Sequence, residues 1–145
     1  MENTEVLNDL VEINNDRAAV YQKAKEETSD TELLALFKKM ADQSRQFAEE
    51  LKQLIKQDGE DPATGTSLRG KIYRAWMDIK NSVKGENKRS VLAACEFEED
   101  GTQKAYKNAL KEKLTPEASS LIQRQQLSLK ESHDIVRNLR DRQPA

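Results

Sequence analysis

The chain has 145 residues, 34% of them charged and 5% aromatic, with 24 basic against 26 acidic side chains and a net charge of −2. That length suits one domain with a real core, and the near balance of charge gives no global pull toward nucleic acid or a membrane surface. The single cysteine, Cys95, excludes an intramolecular disulfide and points to a reducing compartment, so the expected location is the cytoplasm.

The first five residues, Met1 to Glu5, are polar and hold no apolar signal core. No segment approaches the roughly 20 apolar residues that span a bilayer. A first helix is predicted from about Thr4 to Glu27, because Leu7, Leu10, Val11, Ala18, Tyr21 and Ala24 recur at steps of three and four. Ser29 and Glu32 have the spacing of a capping box, which opens a second helix. That helix carries Leu33, Leu36, Phe37, Met40, Phe47, Leu51, Leu54 and Ile55 and stops near Asp58 and Gly59. Residues 59–67 read as a loop. A shorter amphipathic piece follows, with Leu68, Ile72, Trp76, Ile79 and Val83 on one face and Gly85 at its end. The third helix starts near Asn87 and carries Val91, Leu92, Cys95, Tyr106, Ala109, Leu110 and Leu114. Thr115, Pro116 and Glu117 supply an N-cap hydroxyl, a proline at the first helical position and an acid in the first turn. The fourth helix runs to about Arg140, with basic last turns that suit the helix dipole.

Short links join the first helix to the second and the third to the fourth, so each pair is expected to be antiparallel. Roughly 28 residues separate the second helix from the third, and two hairpins joined by one long crossover is the ferritin-like topology. The expected fold is an all-α, ferritin-like, up-down-down-up four-helix bundle. It forms a single domain over residues 1–145, with a crossover at about 59–87 that carries a short helix.

A ferritin-like di-iron site takes one Glu from each of two helices and a Glu-x-x-His pair from each of the other two. Residues three apart share a helix face and can reach the same metals. That recipe needs two histidines, and this chain has one, His133, with Lys130 three residues before it. Four places resemble the ligand layer of ferritin-like proteins. Asn14 stands seven residues before Tyr21, Glu99 seven before Tyr106, Ser44 and Phe47 three apart in the second helix, and His133 between Leu129 and Val136. The segment FKKMADQSRQFAEEL has the outline of a rubrerythrin-type ligand helix, with Ser44 for the acid and Phe47 for the histidine. Only Glu99 and His133 keep ligand chemistry, and they are the residual metal candidates.

Further residues carry a closer resemblance: Leu7-Asn8-Asp9-Leu10, Ser67-Leu68-Arg69-Gly70 through Arg74-Ala75-Trp76, and the run Leu92 to Asp100 ahead of Lys104-Ala105-Tyr106. His133-Asp134 near Arg137 to Asp141 completes the pattern. Over nearly its whole length the chain resembles an uncharacterised bacterial four-helix-bundle family of the ferritin-like superfamily, catalogued as a domain of unknown function. The resemblance implies the fold and a bacterial origin, and no activity.

Glu99 and His133 are expected on neighbouring helices, as a buried carboxylate and its imidazolium partner. The functional alternative is a one-metal site or a general-base pair, helped by Glu12 or Asp16 and weakly by Asn14 and Ser44. One carboxylate and one imidazole fall short of a three- or four-ligand site. Of the acids Glu96, Glu98, Glu99 and Asp100, one can face the core and the others form a solvated face. The basic crossover (Arg69, Lys71, Arg74, Lys80, Lys84, Lys88, Arg89) supports a weaker alternative, binding of an anionic surface. Trp76 shares a face with Ile72 and Ile79 and is expected to dock on the bundle, so no nucleic-acid or membrane partner is expected. Cys95 reads as a small buried thiol. Gly101 costs its helix about 1 kcal/mol against Ala, and close approach of the crossover is one reason for it.

The chain has no nucleophile–base pair, no phosphate-binding glycine loop and no Cys-x-x-Cys. It therefore shows no enzyme signature, and no catalytic residue or cofactor is assigned. The expectation is a non-catalytic bundle acting through protein–protein contacts and self-association, as a homo-oligomeric dimer. A stress-related role fits the resemblance, but no residue carries it.

Overall fold

The computed structural model describes residues 2–63 and 88–143. Among these the chain forms four α-helices: α1 (Asn3–Glu26), α2 (Thr31–Gln57), α3 (Lys88–Ala109) and α4 (Pro116–Asp141). The predicted short helix of the crossover, with Trp76 and the basic residues from Arg69 to Lys84, lies outside the described residues. No described helix is long and apolar enough to cross a membrane.

The helix boundaries follow local chemistry. The predicted capping box of Ser29 and Glu32 does not form. Asp30 is the N-cap of α2, its carboxylate accepting from the Leu33 N–H at 3.0 Å. Aspartate caps at least as well as serine, and Lys88 at the start of α3 ion-pairs with the same side chain. At the other end of α2, Gly59 has φ +78°, and the N–H of Glu60 reaches back to the Ile55 carbonyl. A glycine takes that left-handed conformation at no steric cost. Thr115 caps α4 as the sequence suggests, its Oγ1 accepting from the Ala118 N–H, with Pro116 opening the helix. α3 stops at Ala109, so Leu110 and Leu114 belong to the turn, where they still pack against the core.

The side-chain contacts define the topology. Asn14 meets Tyr106 and Arg17 meets Glu99, so α1 and α3 are antiparallel. Gln125 meets the Phe47 carbonyl and Ser132 meets Gln43, so α2 and α4 are antiparallel as well. With the two hairpins this makes an up-down-down-up, all-α bundle. Its core falls into two apolar clusters. One includes Leu7, Leu10, Leu51, Ile55, Ile122 and Leu129; the other includes Tyr21, Phe37, Met40, Leu92, Cys95 and Val136. Each fully buried side chain of this size contributes roughly 1.5–3 kcal/mol. Those two clusters hold in place the polar belt that lies between them along all four helices.

Candidate functional site

The belt is where a ferritin-like bundle would carry its metals, and its largest member is Arg17, one turn beyond Asn14 on α1 and 0% exposed. Its Nε donates to Glu99 Oε1 at 2.8 Å, and Nη2 lies at 2.8 Å from the same oxygen. Nη1 donates to Ser44 Oγ at 2.8 Å and to the Met40 carbonyl at 3.3 Å, and Nη2 reaches Met40 Sδ at 3.4 Å. The guanidinium also lies over the Tyr21 ring, 5.1 Å from its centre. One cation thus joins α1, α2 and α3 in the middle of the bundle. Burial, the largest single influence, would lower its pKa; the charge of Glu99, the nearby Tyr21 and the hydrogen bond to Glu99 together outweigh it and raise it.

Glu99 is 0% exposed. Besides Arg17 it accepts from the Tyr21 hydroxyl, also on Oε1. Burial, and then the carboxylate charge, push the Tyr21 phenol well above its ordinary range. Glu99 Oε2 is buried and accepts no hydrogen bond from the described residues. Cys95 lies one turn away with its thiol buried, and burial followed by the charge of Glu99 raises its pKa well above the ordinary value. A thiol held protonated is a poor nucleophile.

A second, neutral layer crosses the bundle beside the first. Asn14 Nδ2 donates to the Leu10 carbonyl at 2.9 Å and to the Tyr106 hydroxyl at 2.8 Å. That hydroxyl donates to Gln125 Oε1 at 2.6 Å, and Gln125 Nε2 donates to the Phe47 carbonyl at 3.2 Å and to Glu50 Oε1 at 3.0 Å. The chain of bonds runs through α1, α3, α4 and α2 in turn. It follows the buried-polar rule, that groups taken out of water find partners, except at Asn14 Oδ1, which is buried without a partner among the described residues.

Glu99 and His133, expected as a pair, do not meet. Glu99 turns inward to Arg17 and Tyr21. His133 lies at the α3–α4 edge, where Nε2 bonds to Asp100 Oδ1 at 2.6 Å and Nδ1 to Asp134 Oδ1 at 3.4 Å. Burial pulls the imidazole pKa down; the hydrogen bonds to the two aspartates outweigh it and raise it. The physical reason for the divorce is that arginine is the stronger partner for a dry carboxylate, offering several donors and a fixed charge.

The remaining candidates are dispersed. Asn14 joins the neutral layer, Ser44 the charged one, and Phe47 packs in the core. Lys130 is exposed and pairs with Asp134 at 3.7 Å. Glu12 lines a groove between α1 and α3 whose floor includes Leu10 and Ile13.

The expectation that only one of the acids Glu96 to Asp100 faces inward needs correction. Glu96 is buried beside Arg140, with Nη1 at 2.7 Å. Glu98 is half-buried and accepts from Thr102. Burial, then the charges of Asp16 and Glu99, push its carboxyl up to about 8. Neighbouring helices cover more of α3 than a single inward stripe would require.

Among the described residues no group of three or more His, Cys, Asp or Glu side chains comes together that could hold a metal ion. The donor set does not fit a di-metal centre either. The residues expected at four of the six ligand places, Asn14, Ser44, Phe47 and Lys130, supply no carboxylate or imidazole, and Arg17 brings a positive charge to Glu99.

Sequence reasoning missed Arg17 and Gln125. Each had a legible signal. Arg17 lies three residues after Asn14 and four before Tyr21, and Gln125 lies three after Ile122 and four before Leu129. A charged or amide side chain on the apolar stripe marks a buried network. Ala18, next to Arg17, also fits the stripe and masked the signal.

Comparison with known proteins agrees with this architecture. A family model described as a domain of unknown function (DUF2383) matches residues 2–112. The Dps1 F47E mutant of Mycobacterium smegmatis superposes with a TM-score of 0.77 at 18% identity, covering 94% of this chain and 93% of that one. A two-domain protein of Anabaena variabilis, containing dj-1/thij/pfpi-like and ferritin-like domains, superposes with a TM-score of 0.76 at 15% identity. There the match covers 97% of this chain and 36% of the other. At such identities the likeness is one of fold: this is a ferritin-like bundle. No curated protein matches the sequence.

Proposed function

The chain belongs to the family described as a domain of unknown function (DUF2383), and from that premise we propose that it is a non-catalytic ferritin-like bundle whose centre is closed by its own cation. It acts through contacts of its outer surface, self-association first, in the reducing environment of the cytoplasm. The observation that carries this reading is the Arg17 guanidinium, buried at the centre and bonded to Glu99 and Ser44. Like charges about 4 Å apart repel by about 4 kcal/mol even at an effective dielectric of 20. A metal ion at Glu99 would meet that repulsion, and would have to win a carboxylate oxygen already bonded to Arg17 and Tyr21.

The competing reading is a reduced metal site at Glu99 and His133. It loses ground because the two side chains turn to different partners. Elemental analysis of protein purified without chelator separates the readings. The expected result is metal well below one equivalent, with no change in thermal midpoint on titration with Fe(II) or Zn(II). A full equivalent that disappears in the Glu99→Gln variant would overturn the proposal. Light scattering at tens of micromolar is expected to find dimer, and monomer throughout would remove self-association.

A further inference from the structure

Two oddities sit together on the outer face of α3. Phe97 is 69% exposed, the most exposed large apolar side chain among the described residues. Gly101 follows it by one turn, in the interior of the same helix. Glycine weakens a helix, yet a Cβ at position 101 would meet nothing within 4 Å. The chain's own described packing therefore gives no reason for a glycine there. At about 100° per residue, Phe97, Gly101 and Lys104 lie on one narrow strip facing away from the bundle axis. Lys104 is exposed and makes no ion pair among the described residues. Asp100, on the flank of the strip and 62% exposed, bonds His133 through Oδ1.

We infer that this strip is a self-complementary interface, on which a second copy of the chain docks antiparallel along α3, with the two Gly101 backbones meeting near the two-fold axis and Phe97 of each copy packed beside them. The inference rests on the self-association reading above and names its surface. A two-fold axis between positions 100 and 101 sets residue 97 opposite residue 104 of the other copy. The Phe97 ring then lies against the partner's Lys104 stem, less than one helical turn from the notch that the missing Cβ leaves at the axis. Lys104 lies within about one helical turn of the partner's Asp100, so acid and base alternate correctly on both sides of the axis. An isologous contact of this kind needs one patch that is complementary to itself. A knob, a notch, an acid and a base within eight residues meet that requirement, and the ring adds a cation–π contact. One helix face buries well under the about 800 Å² per partner of a standard interface, so the dimer is a weak one, with a dissociation constant on the order of 1–100 µM.

Sedimentation equilibrium of the full chain, from low micromolar to several hundred micromolar, tests it. The wild type is expected to dimerise reversibly. Phe97→Glu and Gly101→Gln should each weaken the dimer at least tenfold, and Leu127→Ser, an exposed apolar site on α4, should leave it unchanged. Gly101→Gln is the decisive variant, because a misfolding artefact would move the two readouts together. Here the thermal midpoint should hold or rise while the dimer weakens. A wild-type dimer that both α3 variants leave intact, or that Leu127→Ser dissolves, overturns this interface and leaves self-association standing. A wild type that stays monomeric at every concentration overturns both.

Discussion

The two polar layers in the middle of the bundle differ in what they place out of water. The layer of Asn14, Tyr106 and Gln125 is neutral, and its hydrogen bonds run in sequence from α1 to α3, α4 and α2. The layer of Arg17, Glu99, Tyr21 and Ser44 contains two full charges in contact, both 0% exposed. A neutral group that loses one partner retains others or costs its desolvation alone. A charge that loses its partner is left bare in a medium of low dielectric. The charged layer therefore makes the bundle conditional on one ion pair, and the neutral layer supports it without that sensitivity.

The largest effect expected from this contrast is at Arg17. Arg17→Met leaves Glu99 without a counter-charge and should cost about 3–5 kcal/mol in urea unfolding. Arg17→Met combined with Glu99→Leu should recover most of that loss, because both charges are gone. A double variant as weak as the single one would mean that hydrogen bonding, not charge, dominates the layer. Tyr106→Phe tests the neutral layer. Asn14 keeps its bond to the Leu10 carbonyl and Gln125 its bonds to Phe47 and Glu50, so the expected loss is about 1–2 kcal/mol. If Tyr106→Phe costs as much as Arg17→Met, the distinction between the layers fails.

A pH titration sharpens the comparison. Glu98 borders the charged layer, and its carboxyl is pushed up to about 8 from an ordinary 4.5. The native state holds a proton that the unfolded chain releases, so stability should fall as pH rises from about 4.5 to about 8. Glu98→Gln should flatten that fall, raising the thermal midpoint at pH 8 and leaving it nearly unchanged at pH 4. A pH profile untouched by this substitution would separate Glu98 from the charges of Asp16 and Glu99. The smallest effect belongs to His133. Its raised pKa makes the contact with Asp100 strongest below about pH 6.5, with loss as pH rises through the folded value. The aspartate is exposed, so His133→Gln should cost less than about 1 kcal/mol, and only on the acid side.

Periodicity and capping chemistry made the architecture legible before any coordinates. Leu7, Leu10, Val11, Tyr21 and Ala24 place the inner face of α1, and Thr115 with Pro116 places the start of α4, because such signals act within a few residues of themselves. The α2 cap was off by one residue, since Ser29 and Asp30 are both good caps and Lys88, distant in sequence, selects the aspartate. The centre was half legible. Spacing picked out Asn14, Ser44, Glu99 and His133 as polar members of the stripes; the first three are buried, and His133 is half-buried at the α3–α4 edge.

Partner choice was beyond the reach of spacing. Glu99 could pair with any cation that the fold brought near, and both Arg17 and His133 were compatible with neighbouring helices. Which of them arrived depended on the antiparallel register of α1 on α3. The same register buries Glu96 and half-buries Glu98, which helical periodicity alone had assigned to solvent. Residue patterns along a helix are short-range physics and are written in the chain itself, as is the lack of a second histidine. An ion pair across helices is a contest between distant groups for one carboxylate, and only the assembled bundle, by excluding water and setting distances, decided it for Arg17.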